Sequence, residues 1–388
     1  MPDFHSAVVT VAILVAVPAF WFAIEHSFGW RIFGFLPPLL WIYATPLGLL
    51  AAGILPAQSP VYPALKQYLL PVVITLMVMT IDLPRAIRAV RTALPLMLIG
   101  TAGIILGAPV AYAIVGGWLG PTAWSGYGAL AGSWIGGTAN LAATGAALGT
   151  PPEQLGLAIL TDQVVFLAWL PLLIMSRNFA EPFNRWTRAV PSDELDAVDL
   201  TSAAGDMPPR TDLLICIAAA LLNSALAALL APRLPDLPPF LNESSWNVLL
   251  TTSGAIALSF TPIRRTVQGA TAGNALLYVF VATMGASASL SGLGDAPIFI
   301  AGGFIWVAIH GAAVMIGARL LRADVHTAAL ASIANVGGVA SAPVVAAAHR
   351  ASLVPAAVLL AMIGNVIGNY GAILAGQFCR MVGAWLYW

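Results

Sequence analysis

Mostly apolar stretches of about 17–25 residues, each long enough to cross a bilayer, recur ten times along the chain. They are 6–24, 36–54, 65–81, 92–115, 153–175, 211–231, 245–261, 271–290, 296–318 and 352–378. Hydrocarbon offers no water to a backbone N–H or C=O, so spanning segments of this kind fold as helices. Only 8% of the 388 residues are charged, against about a quarter in a soluble domain. Between Thr92 and Ser176 the only charges are Glu153 and Asp162. The expected fold is an all-α membrane protein.

The net charge is zero and no basic tract occurs, so no nucleic-acid partner is expected. Cys216 and Cys379 lie in apolar segments without metal-ligand spacing, which argues against a disulfide framework or thiolate site. The first residues carry no positive flank of the kind a signal peptide needs, so 6–24 is expected to stay as a helix.

Two further segments, 122–149 and 326–349, are rich in Gly, Ala, Ser and Thr, and each contains a Gly-Gly pair: Gly136-Gly137 and Gly337-Gly338. Irregular backbone at membrane depth is tolerated only where it lines a cavity or is buried in protein. A matched pair of such breaks is a pointer to a transporter's binding site.

Cytoplasmic loops carry an excess of Lys and Arg. If both Gly-rich segments are re-entrant, thirteen basic residues, among them Arg85, Arg177, Arg264, Arg322 and Arg350, fall on one side. Three, Lys66, Arg233 and Arg380, fall on the other. Two full crossings would largely abolish that split, although a single broken crossing helix in each half stays open. The expected organisation is a first unit over 1–175 with hairpin 122–149, a cytoplasmic linker over 176–210, and a second unit over 211–388 with hairpin 326–349. Five spans per unit is odd, so the second unit is inverted and both termini lie outside.

The broken segments combine Gly with small polar side chains: Ser133, Thr138, Asn140 and Thr144 in the first, Asn335 and Ser341 in the second. Half-helices ending there present N–H groups to an anion and carbonyls to a cation. Ser133, Gly136, Gly137, Thr138, Asn140, Asn335, Gly337, Gly338 and Ser341 are the expected solute-binding residues. Small residues also allow close helix packing, which accounts for the Gly and Ala but not for the paired Asn. Asp162, mid-span and followed by Gln163, is an intramembrane acid and hence a functional candidate. It suits proton carriage or, once ionised, Na⁺ coordination. Asn365 and Asn369 share a helix face and are the expected helpers of Asp162 and Gln163 in ion coupling. His310 is either a relay or a satisfied core residue. Trp385, Tyr387 and Trp388 look like an interfacial anchor.

The segments Gly-Ser-Trp-Ile-Gly-Gly-Thr-Ala-Asn (132–140) and Ala-Asn-Val-Gly-Gly-Val-Ala-Ser-Ala-Pro-Val (334–344) resemble those of a YjcL-like bacterial membrane family of unknown function. By architecture that family is similar to the cation:proton antiporter and anion transporter superfamily, which includes glutamate:sodium and bile-acid:sodium symporters. The resemblance implies inverted repeats, a core carrying the broken helices, and elevator-like movement against a scaffold.

The expected function is ion-coupled secondary transport of a small polar solute, an organic anion or amino acid, in a bacterial inner membrane. Na⁺ or H⁺ would be the coupling ion, no cofactor is expected, and a homodimer stays open. No Gly-x-x-x-x-Gly-Lys-[Ser/Thr] motif occurs, which argues against ATP-driven pumping. The rivals are a channel or non-transporting component, and an intramembrane hydrolase using Ser133 or Ser341 with His310.

Overall fold

The computed structural model describes residues 4–28, 38–56, 58–189, 195, 208–237, 241–266, 268–287 and 294–387. In the first half the helices are α1 (Phe4–Phe28), α2 (Pro38–Ala51), α3 (Val61–Val78), α4 (Leu83–Ala89), α5 (Leu94–Val115), α6 (Ala123–Gly136), α7 (Thr138–Ala147), α8 (Pro152–Ser176) and α9 (Ala180–Thr187). In the second they are α10 (Pro209–Leu230), α11 (Glu243–Ser259), α12 (Gln268–Ala286), α13 (Ala296–Leu321), α14 (Val325–Val336), α15 (Gly338–His349) and α16 (Val354–Leu386).

Eight helical stretches among the described residues are long and apolar enough to cross a membrane, and the chain is a multi-pass membrane protein. The other two expected spans, 36–54 and 245–261, contain the shorter helices α2 and α11, of 14 and 17 residues. At 1.5 Å per residue these reach about 21 and about 26 Å, less than the roughly 30 Å hydrocarbon core. Local chemistry sets those lengths. Gly53, at φ +72°, turns the chain just after α2. Asn242 starts α11 by accepting from the Ser245 N–H at 2.9 Å, and Thr261-Pro262 opens a 3₁₀ turn just after it.

Polar residues cap other helix starts. Asp82 accepts from the Arg85 N–H and Asp324 from the Thr327 N–H. Such caps satisfy N–H groups that the helix itself leaves free.

The helices sort into two packed groups. In one, α3 lies on α10, α11 and α12, while α2 lies on α1 and α12. Asn223 of α10 ties this group together, donating to Thr75 Oγ1 of α3 at 2.8 Å and to the Thr251 carbonyl of α11 at 2.9 Å. In the other group α5 packs on α13 and α6 on α16, with α7, α8, α14 and α15 around them. Glycines bring α6 and α16 together: a methyl on Gly376 would lie 3.1 Å from Gly128 Cα. Without a hydrophobic drive between helices in lipid, such close approach supplies the packing energy.

Bonds across the seam between the groups include Tyr43 hydroxyl to the Pro152 carbonyl, Ser245 Oγ to the Ala147 carbonyl, and Asn369 Nδ2 to Thr252 Oγ1, each at 2.9 Å.

Candidate functional site

Each Gly-rich segment is a pair of helices folded back on itself. In the first, α6 ends at Gly136 and Gly137 takes φ +82°, a conformation that penalises any residue with a Cβ. The two helices of the hairpin then run side by side to their feet, where Thr150 Oγ1 donates to the Ser125 carbonyl at 3.1 Å. In the second, the break falls between Gly337 and Gly338, the latter at φ +61°. Its feet meet through Asp324 and Arg350, 3.7 Å apart, and through His326 and His349, whose Nδ1 atoms are 2.9 Å apart.

The feet lie at opposite ends of α8. Pro152, its first residue, follows the foot of the first hairpin, while Ser176, its last, lies 3.5 Å from His349 at the foot of the second. Arg177, Arg319, Arg322 and Arg350 border the second foot, whereas Arg380 stacks on Trp124 beside the first. Inside, the tips touch: a carbon added at Gly338 would stand 3.6 Å from Gly137 Cα.

A polar seat surrounds this contact. The first intrahelical bonds of α7 come from Asn140 and Leu141 to the Gly137 carbonyl, so the N–H groups of Thr138 and Ala139 precede them. Asn365 of α16 presents its side-chain oxygen to the Gly137 side, 3.7 Å from where a Cβ would sit. Asn140 turns inward instead and donates to the Asn365 carbonyl at 2.9 Å. Thr138, Asn365 and Ser341 are half-buried at the tips. Asn335, one turn before the second break, is fully buried. It donates to the Met97 carbonyl and accepts from Thr101 Oγ1, both at 3.0 Å, so it fixes α14 to α5 rather than facing the tips.

Asp162 accepts three bonds: from Trp134 Nε1 at 2.9 Å, Ser133 Oγ at 3.0 Å and Gln163 Nε2 at 3.2 Å. It therefore grips α6 within a turn of the Gly137 break. The structure does not gather the expected coupling residues around one ion. Asn369 faces α11 through Thr252, with its own Oδ1 buried and unpartnered, and Asn365 faces the tips.

His310 is a satisfied core residue. Its Nδ1 lies 3.0 Å from the Gly100 carbonyl and therefore carries the hydrogen; Nε2 accepts from Ser332 Oγ at 3.0 Å, which in turn accepts from Trp169 Nε1 at 3.0 Å. The hydroxyl partner of His310 is thus Ser332, not Ser133 or Ser341. Thr101, Ser332, Trp169 and the His326–His349 pair carry no motif that marks them in the sequence, since each acquires its role only by meeting a partner elsewhere in the chain, and the motif that contains Trp134 does not show that it bonds Asp162. Tyr387 fastens α16 to the Ala113 carbonyl of α5 at 2.6 Å, while Trp385 is exposed. Trp388 lies outside the described residues.

A cavity of about 550 Å³ lies away from the tips. It lies in the seam at the foot of the first hairpin, between Thr150, Gln67 of α3, Glu243 and Asn247 of α11, and Phe280 of α12.

The sequence model of one protein family, described as a protein of unknown function (DUF819), matches residues 12–382. The chain belongs to this DUF819 family. It is also similar to the uncharacterized membrane protein YjcL of Bacillus subtilis (strain 168), at 26% identity over 348 residues, or 84% of this chain and 85% of YjcL. The match to the family takes in both hairpins, α8, and α16 as far as residue 382, so the residues that form the seat fall inside it.

Proposed function

We propose that this DUF819 protein is an ion-coupled secondary transporter that binds a small organic anion or amino acid where its two hairpin tips meet. The carrying observation is the contact of Gly137 with Gly338, made by two broken helices that enter from opposite ends of the molecule. The N-terminal ends of α7 and α15 start at this point, and helix N-termini favour an anionic group. No side chain of Asp, Glu, Lys or Arg belongs to the tip segments 133–141 and 333–341; the carboxyl of Asp162 reaches the first of them through Ser133 and Trp134.

The packing also supports an inverted repeat. Taking α1, α2, α3, α5, α6–α7 and α8 as equivalent to α10, α11, α12, α13, α14–α15 and α16, the contacts exchange: α3 meets α12 and α5 meets α13, α2–α12 mirrors α11–α3, and α8–α13 mirrors α16–α5. The group built on α3 and α12 is the scaffold in this reading, and the hairpin group is the moving core. The cavity of about 550 Å³ at the first foot is the way in from that side. The arginine-rich second foot faces the cytoplasm of a bacterial inner membrane, in line with the charge rule. The architectural likeness to glutamate:sodium and bile-acid:sodium symporters agrees with this arrangement.

Asp162 is the coupling group, and a proton is the ion assigned to it. Na⁺ needs converging oxygens, whereas Trp134 and Gln163 turn N–H groups toward the carboxylate. Ser133 Oγ can reverse its bond and accept from a protonated acid, so the site has a bonding pattern for both states.

Accessibility measured in oriented vesicles tests the transporter reading. A cysteine at Thr138 is expected to react from the first-foot side, one at Ser341 from the second, with the two reactivities rising and falling in opposition as the core moves. Equal labelling of both from one side alone contradicts it.

A further inference from the structure

The second hairpin ends in a cluster that the transport reading does not use. His326, in the first turn of α14, and His349, the last residue of α15, face each other through their Nδ1 atoms at 2.9 Å, with the rings nearly perpendicular at 88°. His349 Nε2 lies 2.9 Å from the Leu173 carbonyl of α8. A carbonyl only accepts, so the Nε2 hydrogen of His349 is fixed there and its Nδ1 carries a lone pair. The hydrogen in the 2.9 Å contact therefore belongs to His326. Around the pair the same foot is tied to its neighbours: Arg177 donates to the Ala348 carbonyl, Asn184 Oδ1 of α9 accepts from the Val325 N–H at 2.9 Å, and Arg350 meets Asp324 at 3.7 Å.

We propose that His326 and His349 form a proton-released clasp, which joins the two legs of the second hairpin to each other near neutral pH and lets go in acid.

The proton count explains the direction. The neutral pair shares one N–H between two Nδ1 atoms. A proton added to Nδ1 of His349 sets two N–H groups head-on across the contact. The charges that bear on His349 are Arg177 at the end of α8, Asp324 before α14 and Arg350 after α15; two are positive and one negative. Loss of water around the ring is the largest influence holding the pKa of His349 below its ordinary 6.5, ahead of the Leu173 bond, which opposes it, and of Arg177. A histidine kept below its ordinary value stabilises the folded arrangement above that value, and the stabilisation is lost as the pH falls through the lowered one.

Opening the clasp frees the legs at the mouth of the second hairpin but leaves the first hairpin, whose feet are closed by Thr150 and Ser125, unaffected. The inference does not depend on transport: it holds for any role of the hairpin.

Amide hydrogen exchange on the purified full chain tests it, with each rate divided by the intrinsic rate at the same pH. Between about pH 8 and about pH 5, which bracket histidine titration, protection over 325–330 and 344–349 is expected to fall about tenfold or more, worth about 1.4 kcal/mol. Protection over 123–147 is expected to stay level. In His349→Gln and in His326→Gln the fall should vanish, and either variant suffices if the other does not fold. Protection independent of pH in the parent, or a fall that persists in a folded variant, overturns the clasp.

Discussion

Gly137 and Gly338 lie 201 residues apart in the chain, yet a carbon added to the second would stand 3.6 Å from the Cα of the first. Both have positive φ, and the backbone of each is the tip of a helical hairpin. A side chain at Gly338 therefore meets two penalties, conformational strain of about 1–2 kcal/mol and loss of the room at the tips. Gly338→Ala is expected to fold with a slightly lowered melting temperature, and Gly338→Leu to lose solute binding altogether. Thermal unfolding alongside a ligand-induced melting shift reads both; unaltered binding by the leucine variant would show that the tips are not the seat.

Asp162→Asn keeps nearly the same shape and can still bond Trp134 and Ser133, so its stability should stay close to that of the parent. Asp162→Ala instead leaves the buried Trp134 Nε1 without an acceptor, which costs about 1–3 kcal/mol. If Asp162 carries the coupling proton, Asn should abolish gradient-driven accumulation in proteoliposomes while passive exchange survives. Equal accumulation by Asn and parent would exclude that role.

Ser332→Ala removes the acceptor of Trp169 and the donor to His310 at once. Two buried groups lose partners, so destabilisation of about 1–3 kcal/mol is expected, with faster hydrogen exchange in α14 than in α6. Denaturant unfolding and exchange by segment check this; a variant as stable as the parent would mean that this chain of bonds does not hold the second hairpin.

Asn223→Leu tests the scaffold group. Asn223 Nδ2 serves both Thr75 and Thr251, and a methyl on Gly254 would run into its side chain. The branched replacement loses both bonds and overfills the contact, for which about 1–3 kcal/mol is expected from overpacking. Heat stability of the purified protein is the measurement, and no loss would place those bonds among the dispensable ones.

The places of the breaks were legible from Gly-Gly pairs flanked by small polar residues, which packing alone does not call for, and the eight long helices were legible from mostly apolar runs. The lengths of α2 and α11 were not, since mean hydropathy does not register that Gly53 and Thr261-Pro262 stop the helices early. Side-chain direction was the harder matter. Asn365 and Asn369 share a helix face by spacing, but α16 is packed between the hairpins and α11, so a rise of about 6 Å along its axis takes the two amides to different neighbours. Asn335 reads as functional by its polarity, and His310 as either a relay or a satisfied core residue. Their partners, Met97, Thr101, Gly100 and Ser332, appear only once α5, α13 and α14 are brought together.

The most direct measurement is a cross-link between the tips. With cysteines at Thr138 and Val339, beside the touching glycines, a short bifunctional thiol reagent should join the two within one chain. A second pair at Gly149 and Arg350, one at each foot, should remain unlinked because the feet lie at opposite ends of α8. Linking of the feet, or no linking of the tips in folded protein, would contradict two hairpins that enter from opposite faces and meet inside.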